Sequence, residues 1–429
     1  MIRKFIYLVG VYLRNRLIFK NLSMLKASES WSLEHLHSHQ LIKLKALIKH
    51  SYENCVYYRN KFDQTDVKID DIQSLGDICK LPVTTKDELL QNIKDIQVHD
   101  YPEKLFYSET SGSSGKPLIF YRNKEWDAWH RASVWRGYSW YGVHPWEKNG
   151  YFWGYNIALM KQIKVKVLDL LQNRFRIFSY NDKGLIRFIK KLRSAVYMEG
   201  YSSMIYEVAK KINNKKFNES YNFNKLKLIK GTSEKIFDKY QEEIKKAFRK
   251  KIISEYGAAE SGIIAFECPK GNMHVNMETI IVEVIEGEIL VTNLVSYSFP
   301  IIRYKLGDYI SLEKKVGCLC GMQHDVISDV LGRVGSVIFG KKEQYPSLTL
   351  YYIFKNLAIE QNIILNYQAI QCEIGSLTLK IESPLSGKQK NELLKEFGKY
   401  FKNDMNLTLI DDVHIKSKDK KQRDFISEL

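Results

Sequence analysis

The chain has 429 residues, of which 45% are hydrophobic and 13% aromatic, and its formal net charge is +17. This length exceeds what one simple core holds, and the composition excludes an extensively disordered chain, so two or more globular domains are expected. The charge would suit nucleic acid, anionic lipid or phosphorylated ligands, but the lysines are dispersed and no arginine-rich tail follows. A nucleic-acid binder would rest on net charge alone, so we expect no nucleic-acid partner.

The amino-terminal stretch is apolar and basic. Its apolar run over residues 5–13 ends at Arg14 and Arg16, which leaves it too short to span a bilayer. No small-residue cleavage site follows, which argues against a signal peptide. Two alternatives stay open, an amphipathic helix at a membrane surface and a helix packed on the body of the protein. We expect a cytoplasmic protein with at most peripheral contact with the inner face of the membrane.

Strand-like and helix-like patterns alternate as far as about residue 310 and predict an α/β body. A helix is predicted over Leu36–Asn54, and another begins at Thr84 or Thr85, either of which can cap it. The other predicted elements of this body are strands at Gly150–Tyr155, 225–231 and 251–257 and helices at Lys183–Ala195 and Lys235–Arg249.

The last hundred residues have a different pattern. Two strands around a Gly-Ser turn (368–383), a helix (386–403) and a further strand (406–416) predict a small α+β unit. We place the boundary after residue 332. The prediction is a large domain over 1–332, whose first 60 residues are helical, and a small domain over 333–429.

A Gly- and Ser-rich stretch that ends in lysine lies between two strand-like segments. Glycines allow a backbone to approach a ligand closely, and hydroxyls and backbone N–H groups can hold phosphate oxygens. The spacing departs from the G-x-x-x-x-G-K-[ST] loop, because Gly112 and Gly115 are too close together. On these residues alone, phosphate binding and a polar hairpin are equal alternatives. The stretch consists of Thr110, Ser111, Gly112, Ser113, Ser114, Gly115 and Lys116.

Three later segments bear on that choice. "SEYGAAESG" carries Glu260, an acid that could hold Mg²⁺. "PIIRYKLGDYISL" places Asp308 after a glycine between strands, where a carboxylate could accept both hydroxyls of a ribose. "KSKDKKQRDFI" gives the chain a basic end. Each has a plain alternative: a surface acid, a turn former and a solvated charge run.

The order of these segments resembles the adenylate-forming acyl-activating enzymes. The similarity is to the phenylacetate–CoA ligase branch, including the related ligases of capsule and surface-polysaccharide gene clusters. It covers about residues 36–425 and implies a large α/β domain with mixed sheets followed by a small, mobile α+β carboxy-terminal lid domain. The matching motifs are "TSGSSGKP" at 110–117, "YGAAES" at 256–261, "RYKLGD" at 303–308 and "LGRVGS" at 331–336.

The resemblance implies roles for the matching residues. The stretch from Thr110 to Lys116 would contact the ATP phosphates, Tyr256 would lie against adenine, Glu260 would hold Mg²⁺ and Asp308 would bind the ribose. The implied cofactor-binding set also includes Gly257, Arg333 and Arg423. Lys116, Glu260 and a carboxy-terminal lysine would be catalytic.

The carboxy-terminal lysine is assigned from "DKKQRDF", which is similar to the family's G-K-x-R segment. This favours Lys421 over Lys418 and Lys420, although Lys420 stands where the family usually has glycine. The hinge segment has Ser336 near a position that is commonly acidic in the family. The prediction of the acyl-transfer step, which follows hinge rotation, is therefore less secure than the prediction of adenylation.

Six cysteines without a secretory signal indicate a reducing compartment rather than a disulfide framework. Cys55, Cys79 and Cys372 are isolated, which favours buried apolar positions. Cys268, His274, Cys318 and Cys320 form a chemically sensible tetrahedral Zn²⁺ set, which would be structural because protein fills all four positions. Some members of the resembled branch carry similar clusters. His324 could substitute as a ligand, but a surface histidine is favoured.

The function implied by the resemblance is ATP-dependent activation of a small carboxylic acid with release of pyrophosphate. The acyl group would then pass to CoA, or to an amine or hydroxyl on a sugar or polysaccharide intermediate. A catalytically silent nucleotide-binding scaffold or regulator is the alternative. The acid would lie near the segments 200–203, 230–234 and 256–262. Its candidate contacts are Ser203, Gly231, Thr232, Ser233 and Ala258, and one or two side chains among Trp126, Trp129, His130, Ser133, Trp140 and His144.

Overall fold

The computed structural model describes residues 2–65, 67–110, 117–152, 159–177, 182–214, 221–314, 317–330, 337–361, 363, 365–413 and 425–429. Its α-helices are α1 (Ile2–Asn15), α2 (Leu17–Ser28), α3 (Leu33–Asn54), α4 (Val56–Gln64), α5 (Lys86–Gln91), α6 (Ile93–Ile96), α7 (Lys124–Trp140), α8 (Leu159–Leu171), α9 (Asp182–Leu192), α10 (Ser202–Asn213), α11 (Asp238–Phe248), α12 (Leu348–Glu360) and α13 (Gly387–Phe401). Short 3₁₀ helices lie at Ile69–Asp71 and Leu75–Lys80.

The strands divide into a central set and two smaller sets. The central strands are β3 (Asn149–Phe152), β4 (Arg174–Arg176), β5 (Tyr197–Tyr201), β6 (Leu228–Thr232), β7 (Ile252–Ala258), β8 (Gly262–Glu267), β9 (Met273–Val275), β10 (Ile280–Ile285), β11 (Glu288–Asn293), β12 (Tyr304–Glu313) and β13 (Val326–Val330). The others are β1 (Phe106–Glu109), β2 (Ile119–Arg122), β14 (Val337–Phe339), β15 (Gln344–Pro346), β16 (Tyr367–Gln371), β17 (Ser376–Ile381), β18 (Asn406–Ile410) and β19 (Phe425–Ser427).

Side-chain caps explain where two predicted helices begin. The Ser32 hydroxyl accepts a hydrogen bond from the His35 N–H at 3.2 Å, so α3 begins three residues before its predicted start. Thr85 and Glu88 form a capping box at the start of α5, in which each side chain accepts from the other's backbone N–H. Such caps satisfy N–H groups that have no partner inside the helix. The prediction of a Thr cap here is confirmed, and the residue is Thr85.

The central sheet has eleven strands in the order β10-β11-β12-β13-β9-β8-β7-β6-β5-β3-β4. The segment from β4 to β7 is parallel, and the segment from β7 to β10 is antiparallel. Helices α9, α10 and α11 bury apolar side chains against the parallel half, with Phe188, Ile205 and Phe248 in that core. Parallel strands covered by the helices that connect them are typical of α/β domains. The predicted mixed α/β body is confirmed.

The amino-terminal helices cover the antiparallel half. Leu25, Leu44 and Tyr58 lie in one apolar cluster with Trp126 of α7 and Phe299. Residues 2–60 are thus mainly helical. No helix in the described ranges is both long enough and apolar enough to cross a membrane.

The carboxy-terminal residues form a separate four-stranded sheet in the order β18-β17-β16-β19. Strands β16 and β17 are antiparallel around Gly375, whose φ of +76° favours glycine. Helices α12 and α13 share an apolar core with this sheet. The predicted α+β unit is confirmed, and residues 331–336, which contain the predicted boundary and hinge, lie outside the described residues.

Candidate active site and metal centre

Two predicted site carboxylates each accept a hydrogen bond from a tyrosine. Asp308 is predicted to bind ATP and Glu260 its metal, and each tyrosine belongs to the strand associated with the other carboxylate. The Tyr256 hydroxyl on β7 donates to Asp308 Oδ2 on β12 at 3.0 Å. The Tyr304 hydroxyl on β12 donates to Glu260 Oε1, just beyond β7, at 3.1 Å. Burial, with Asp308 beside the ring, raises the pKa of Tyr256 well above its usual value, so the phenol stays protonated and donates.

These reciprocal bonds require a strongly curved sheet. Three strands, β8, β9 and β13, lie between β7 and β12 in hydrogen-bonding order. Register shifts interrupt the β7–β8, β11–β12 and β12–β13 ladders, and irregularities of this kind bend and twist strands. The curvature brings Glu260 and Asp308 to the same region, as an ATP site would need.

Arg303, the first residue of the motif that ends at Asp308, anchors the start of β12. Its guanidinium pairs with Glu283 at 2.9 Å and donates to the Cys79 carbonyl at 3.0 Å. Only 5% of the residue is exposed, and its φ is +44°. A buried arginine with these partners fixes the backbone that leads to Asp308. The sequence motif contained Arg303, but its positioning contacts were not predicted.

The Gly- and Ser-rich stretch joins an antiparallel hairpin of β1 and β2. The Thr110 N–H donates to the Leu118 carbonyl, and the Leu118 N–H donates to the Thr110 hydroxyl, each at 3.0 Å. Thr110 therefore closes the base of the connection. A hairpin and a phosphate-binding loop are thus compatible, since the hairpin can present the loop at its tip. Ser111–Lys116 lie outside the described residues.

Two predicted substrate segments lie at the carboxyl ends of neighbouring parallel strands. Gly200 of β5 pairs with Gly231 of β6, and Ser203 and Ser233 follow these strands. A Cβ at Gly231 would lie 2.4 Å from the Ser202 hydroxyl, so a larger residue would force neighbouring side chains to move. Ligands of open α/β sheets bind beyond such strand ends. Gly257 and Ala258 end the adjacent strand β7, so the structure brings the predicted substrate residues to one edge.

Glu234 and Lys230 at this edge belong to the predicted segment 230–234, but neither was predicted as a site residue. The Ser203 N–H donates to Glu234 Oε2 at 2.8 Å, and burial raises the pKa of Glu234 to about 7. Lys230 lies between Glu199 at 3.0 Å and Glu255 at 2.8 Å. Glu199, Lys230 and Glu255 belong to three parallel strands, so their spacing along the chain does not indicate that they are in contact.

Helix α7 places aromatic side chains beside the turn that carries Glu260. A small cavity lies between them, lined by Trp126, Trp129, His130, Ser133, Ser261 and Gly262, among others. Trp126 Nε1 and His130 Nδ1 are buried without a hydrogen-bond partner in the described structure. Burial lowers the pKa of His130 to about 3, so its ring is neutral. His144 and Trp140 do not line this cavity. His144 stacks on Trp146, and Trp140 Nε1 donates a hydrogen bond to the Glu29 carboxylate.

The four predicted zinc ligands converge. The ligand atoms of Cys268, His274, Cys318 and Cys320 all lie within 4.8 Å of one another. Strand pairing explains the convergence, because β9, which carries His274, lies between β8, which ends just before Cys268, and β13, which follows the loop of Cys318 and Cys320. Burial lowers the pKa of His274 to about 4, so the imidazole is neutral, the form that binds metal.

The prediction of a surface position for His324 is wrong. The residue is buried, and its Nε2 lies 2.8 Å from Glu278 Oε1. Its carbonyl lies 3.4 Å from His274 Nδ1, so His324 orients a candidate ligand through its backbone. Glu278 also pairs with the buried Arg136. Burial opposes ionisation of Glu278, but Arg136 and His324 outweigh it and hold the pKa of Glu278 well below its usual range.

The prediction for the isolated cysteines is confirmed for Cys55 and wrong for Cys79 and Cys372. Cys55 is buried, whereas the other two are exposed, and all six cysteines are free thiols. Distance from other cysteines along the chain does not predict burial. Both exposed cysteines lie at the ends of regular elements, where side chains can face solvent. Arg333, Lys418, Lys420, Lys421 and Arg423 lie outside the described residues.

No protein-family model matches the chain. Protein CapK of Staphylococcus aureus is 25% identical over 337 residues, which cover 75% of this chain and 73% of that protein. Phenylacetate-coenzyme A ligase of Escherichia coli is 36% identical over 103 residues, which cover 24% of each chain.

Among solved structures, 2-hydroxyisobutyryl-CoA ligase in complex with 2-HIB-AMP and CoA superposes with a TM-score of 0.62. The match covers 93% of this chain and 91% of that one at 17% identity, a level at which it shows the fold. The fold, the two sequence relatives and the ordered motifs agree. The chain is similar to the adenylate-forming ligases, and within them to the phenylacetate–CoA ligase-like branch.

Proposed function

We propose that the protein activates a small carboxylic acid with ATP and then transfers the acyl group to a nucleophilic acceptor. In the first step a carboxylate oxygen forms a bond to the α-phosphorus of ATP, and the bond to pyrophosphate breaks. In the second step the acceptor attacks the acyl carbon and AMP leaves. The observation that carries this proposal is the pairing of Glu260 with Tyr304 and of Asp308 with Tyr256 beside the strand ends.

The first step brings two anions together, so it needs positive charge and N–H donors around the phosphates. Glu260 would hold Mg²⁺, which would neutralise phosphate charge when bound. Asp308 would accept the ribose hydroxyls, and Tyr256 would lie against adenine. Lys116 and the loop around it would contact the phosphates, and Lys421 would act on the α-phosphate. Fixing both reactants in line supplies much of the remaining acceleration.

The acyl group would lie between the strand ends at Gly231 and the α7 cavity. The cavity borders the turn that carries Glu260, because Ser261 and Gly262 line it. The buried Trp126 Nε1 and His130 Nδ1 could bond a polar group of a small acid. This would favour an acid that carries a hydroxyl or amine over a purely aromatic one.

For the second step we favour CoA, because the relatives named above include ligases of phenylacetate and of 2-hydroxyisobutyrate with CoA. An amine or hydroxyl of a sugar or polysaccharide intermediate is the other acceptor class. Both acceptors would attack the same acyl-adenylate, so the first step can be tested separately.

ATP–pyrophosphate exchange over aryl, hydroxy, amino and uronic acids tests the first step. We expect exchange with one class, and with small hydroxy or amino acids above aryl acids. The exchange-active acid can then be offered CoA or a sugar amine to identify the acceptor. ATP binding without exchange for any acid would instead support the nucleotide-binding scaffold.

We further propose that Cys268, His274, Cys318 and Cys320 hold one structural Zn²⁺. The set fits the ion because three thiols and one imidazole give tetrahedral coordination with no position left for water. The Asn272 amide donates to Cys318 Sγ at 3.1 Å, and hydrogen bonds of this type orient ligands. A bound ion would tie the β8–β9 connection to the loop before β13.

The zinc proposal predicts about one Zn per chain by elemental analysis of protein purified without chelator. Cys318→Ser should remove the metal and lower the free energy of unfolding by about 4 kcal/mol or more, because a metal site is among the few features of that weight. Cys372→Ser, at an exposed thiol, is the matched control and should change neither. The proposal would be contradicted if the wild-type protein contained no zinc and Cys318→Ser had the same free energy of unfolding as wild type.

A further inference from the structure

Helix α1 has two apolar faces, but the body of the protein covers only one. Tyr7, Leu8 and Val11 pack against the cluster of Ile18 and Trp135. The opposite face is exposed to solvent, with Leu13 79% and Phe5 70% accessible. Its full set, spaced as one helical stripe, is Ile2, Phe5, Ile6, Val9, Tyr12 and Leu13.

Helix α8 extends this apolar surface. The two helices are in contact, and Arg3 of α1 donates to the side chain of Asn173, two residues after α8 ends. The exposed apolar residues of α8 are Ile163, Val167, Leu168, Leu170 and Leu171. We call the exposed apolar residues of both helices the α1/α8 face. Contiguous apolar surface on this scale marks an interaction site in a water-soluble protein.

Every exposed charge on these two helices is positive. Helix α1 contains no acidic residue, and the first acid in the chain is Glu29. Exposed basic side chains border the face at Arg3, Lys4, Arg14, Arg16, Lys164 and Lys166. The single acid of α8, Asp169, is buried and paired with Arg176 at 2.7 Å. The surroundings of the face are therefore basic without a compensating exposed acid on either helix.

We propose that the α1/α8 face docks the protein on an anionic lipid bilayer, with both helices lying in the interface and none spanning it. Apolar side chains would enter the boundary between headgroups and acyl chains, while the basic rim would contact the anionic headgroups. A second copy of the chain fits less well, because it would bring two basic rims together. This inference is independent of the proposed ligase activity.

Vesicle flotation tests the docking directly. The full chain should bind vesicles of phosphatidylcholine with phosphatidylglycerol at least about tenfold more tightly than vesicles of phosphatidylcholine alone. High salt should reduce that difference. Phe5→Glu with Leu13→Glu, and separately Val167→Glu with Leu171→Glu, should each weaken binding about tenfold or more.

The matched control is Ile374→Glu with Leu394→Glu, which places the same two charges at exposed apolar positions of the carboxy-terminal unit. It should bind vesicles nearly as wild type does. Circular dichroism and ATP–pyrophosphate exchange in solution should be unchanged for all three variants. Equal binding to both vesicle types, or none to either, would overturn the proposal. So would a wild-type dimer that the α1 variant dissociates without any vesicle binding.

Discussion

Lys421→Ala is expected to slow acyl-adenylate formation about 10²- to 10³-fold while ATP binding stays nearly intact. A cation at the α-phosphate stabilises charge that grows only as the carboxylate attacks, so its loss raises the barrier rather than the dissociation constant. Single-turnover formation of the adenylate, followed with labelled ATP, measures the rate. A separate titration gives the dissociation constant of ATP.

Two control variants separate the lysine's role from general charge loss. Lys388→Ala removes an exposed cation at the start of α13 and should leave the rate unchanged. Lys420→Ala tests the neighbouring residue, which stands where the family usually has glycine. If Lys420→Ala is the slow variant, the catalytic position is one residue earlier. An unchanged rate in every variant would remove this segment from the first step.

The sequence predicted the fold where local chemistry decides it. Thr85 and Glu88 have the spacing of a capping box, and the structure shows that box at the start of α5. Strands β16, β17 and β18 and helix α13 were predicted in order, because alternation and helical periodicity are properties of neighbouring residues. Strands β14, β15 and β19 and helix α12 were not predicted. The Cys₃His set was also predictable, since its two pairs lie in two short segments that each contain glycine.

Contacts between distant strands could not be read from the sequence. Lys230 meets Glu199 and Glu255 only because β5, β6 and β7 are adjacent and parallel. His324 was predicted to lie at the surface in a polar loop, yet it is buried against Glu278, which also pairs with Arg136. Such networks carry large energies, since a buried charge that loses its partner costs about 3–5 kcal/mol.

The tyrosine–carboxylate pairs show the same limit at the candidate active site. Each motif is recognisable from its own few residues. The spacing of the motifs along the chain does not indicate that Tyr256 donates a hydrogen bond to Asp308 or that Tyr304 donates one to Glu260. Both bonds depend on the curvature of the antiparallel half of the sheet. The sequence thus identified the residues, and the structure adds how their orientations are fixed.

Asp308→Ala is expected to weaken ATP binding about 10- to 100-fold, because hydrogen bonds to a charged acceptor contribute about 1.5–3 kcal/mol. The loss should appear in the dissociation constant of ATP, measured by calorimetry, and much less in the rate at saturating ATP. Since the ribose is bound equally before and during the reaction, its contacts contribute uniform binding.

Two variants make the Asp308 test specific. Tyr256→Phe keeps the ring and removes only the 3.0 Å hydrogen bond to the carboxylate, so ATP binding should weaken by about tenfold at most. Asp329→Ala removes a carboxylate from the adjacent strand β13, where it pairs with Lys235, and should leave ATP affinity unchanged. If Asp308→Ala binds ATP as wild type does, the carboxylate does not hold the ribose. The curved sheet would then orient Asp308 for another purpose, and the nucleotide would have to bind elsewhere along the strand ends.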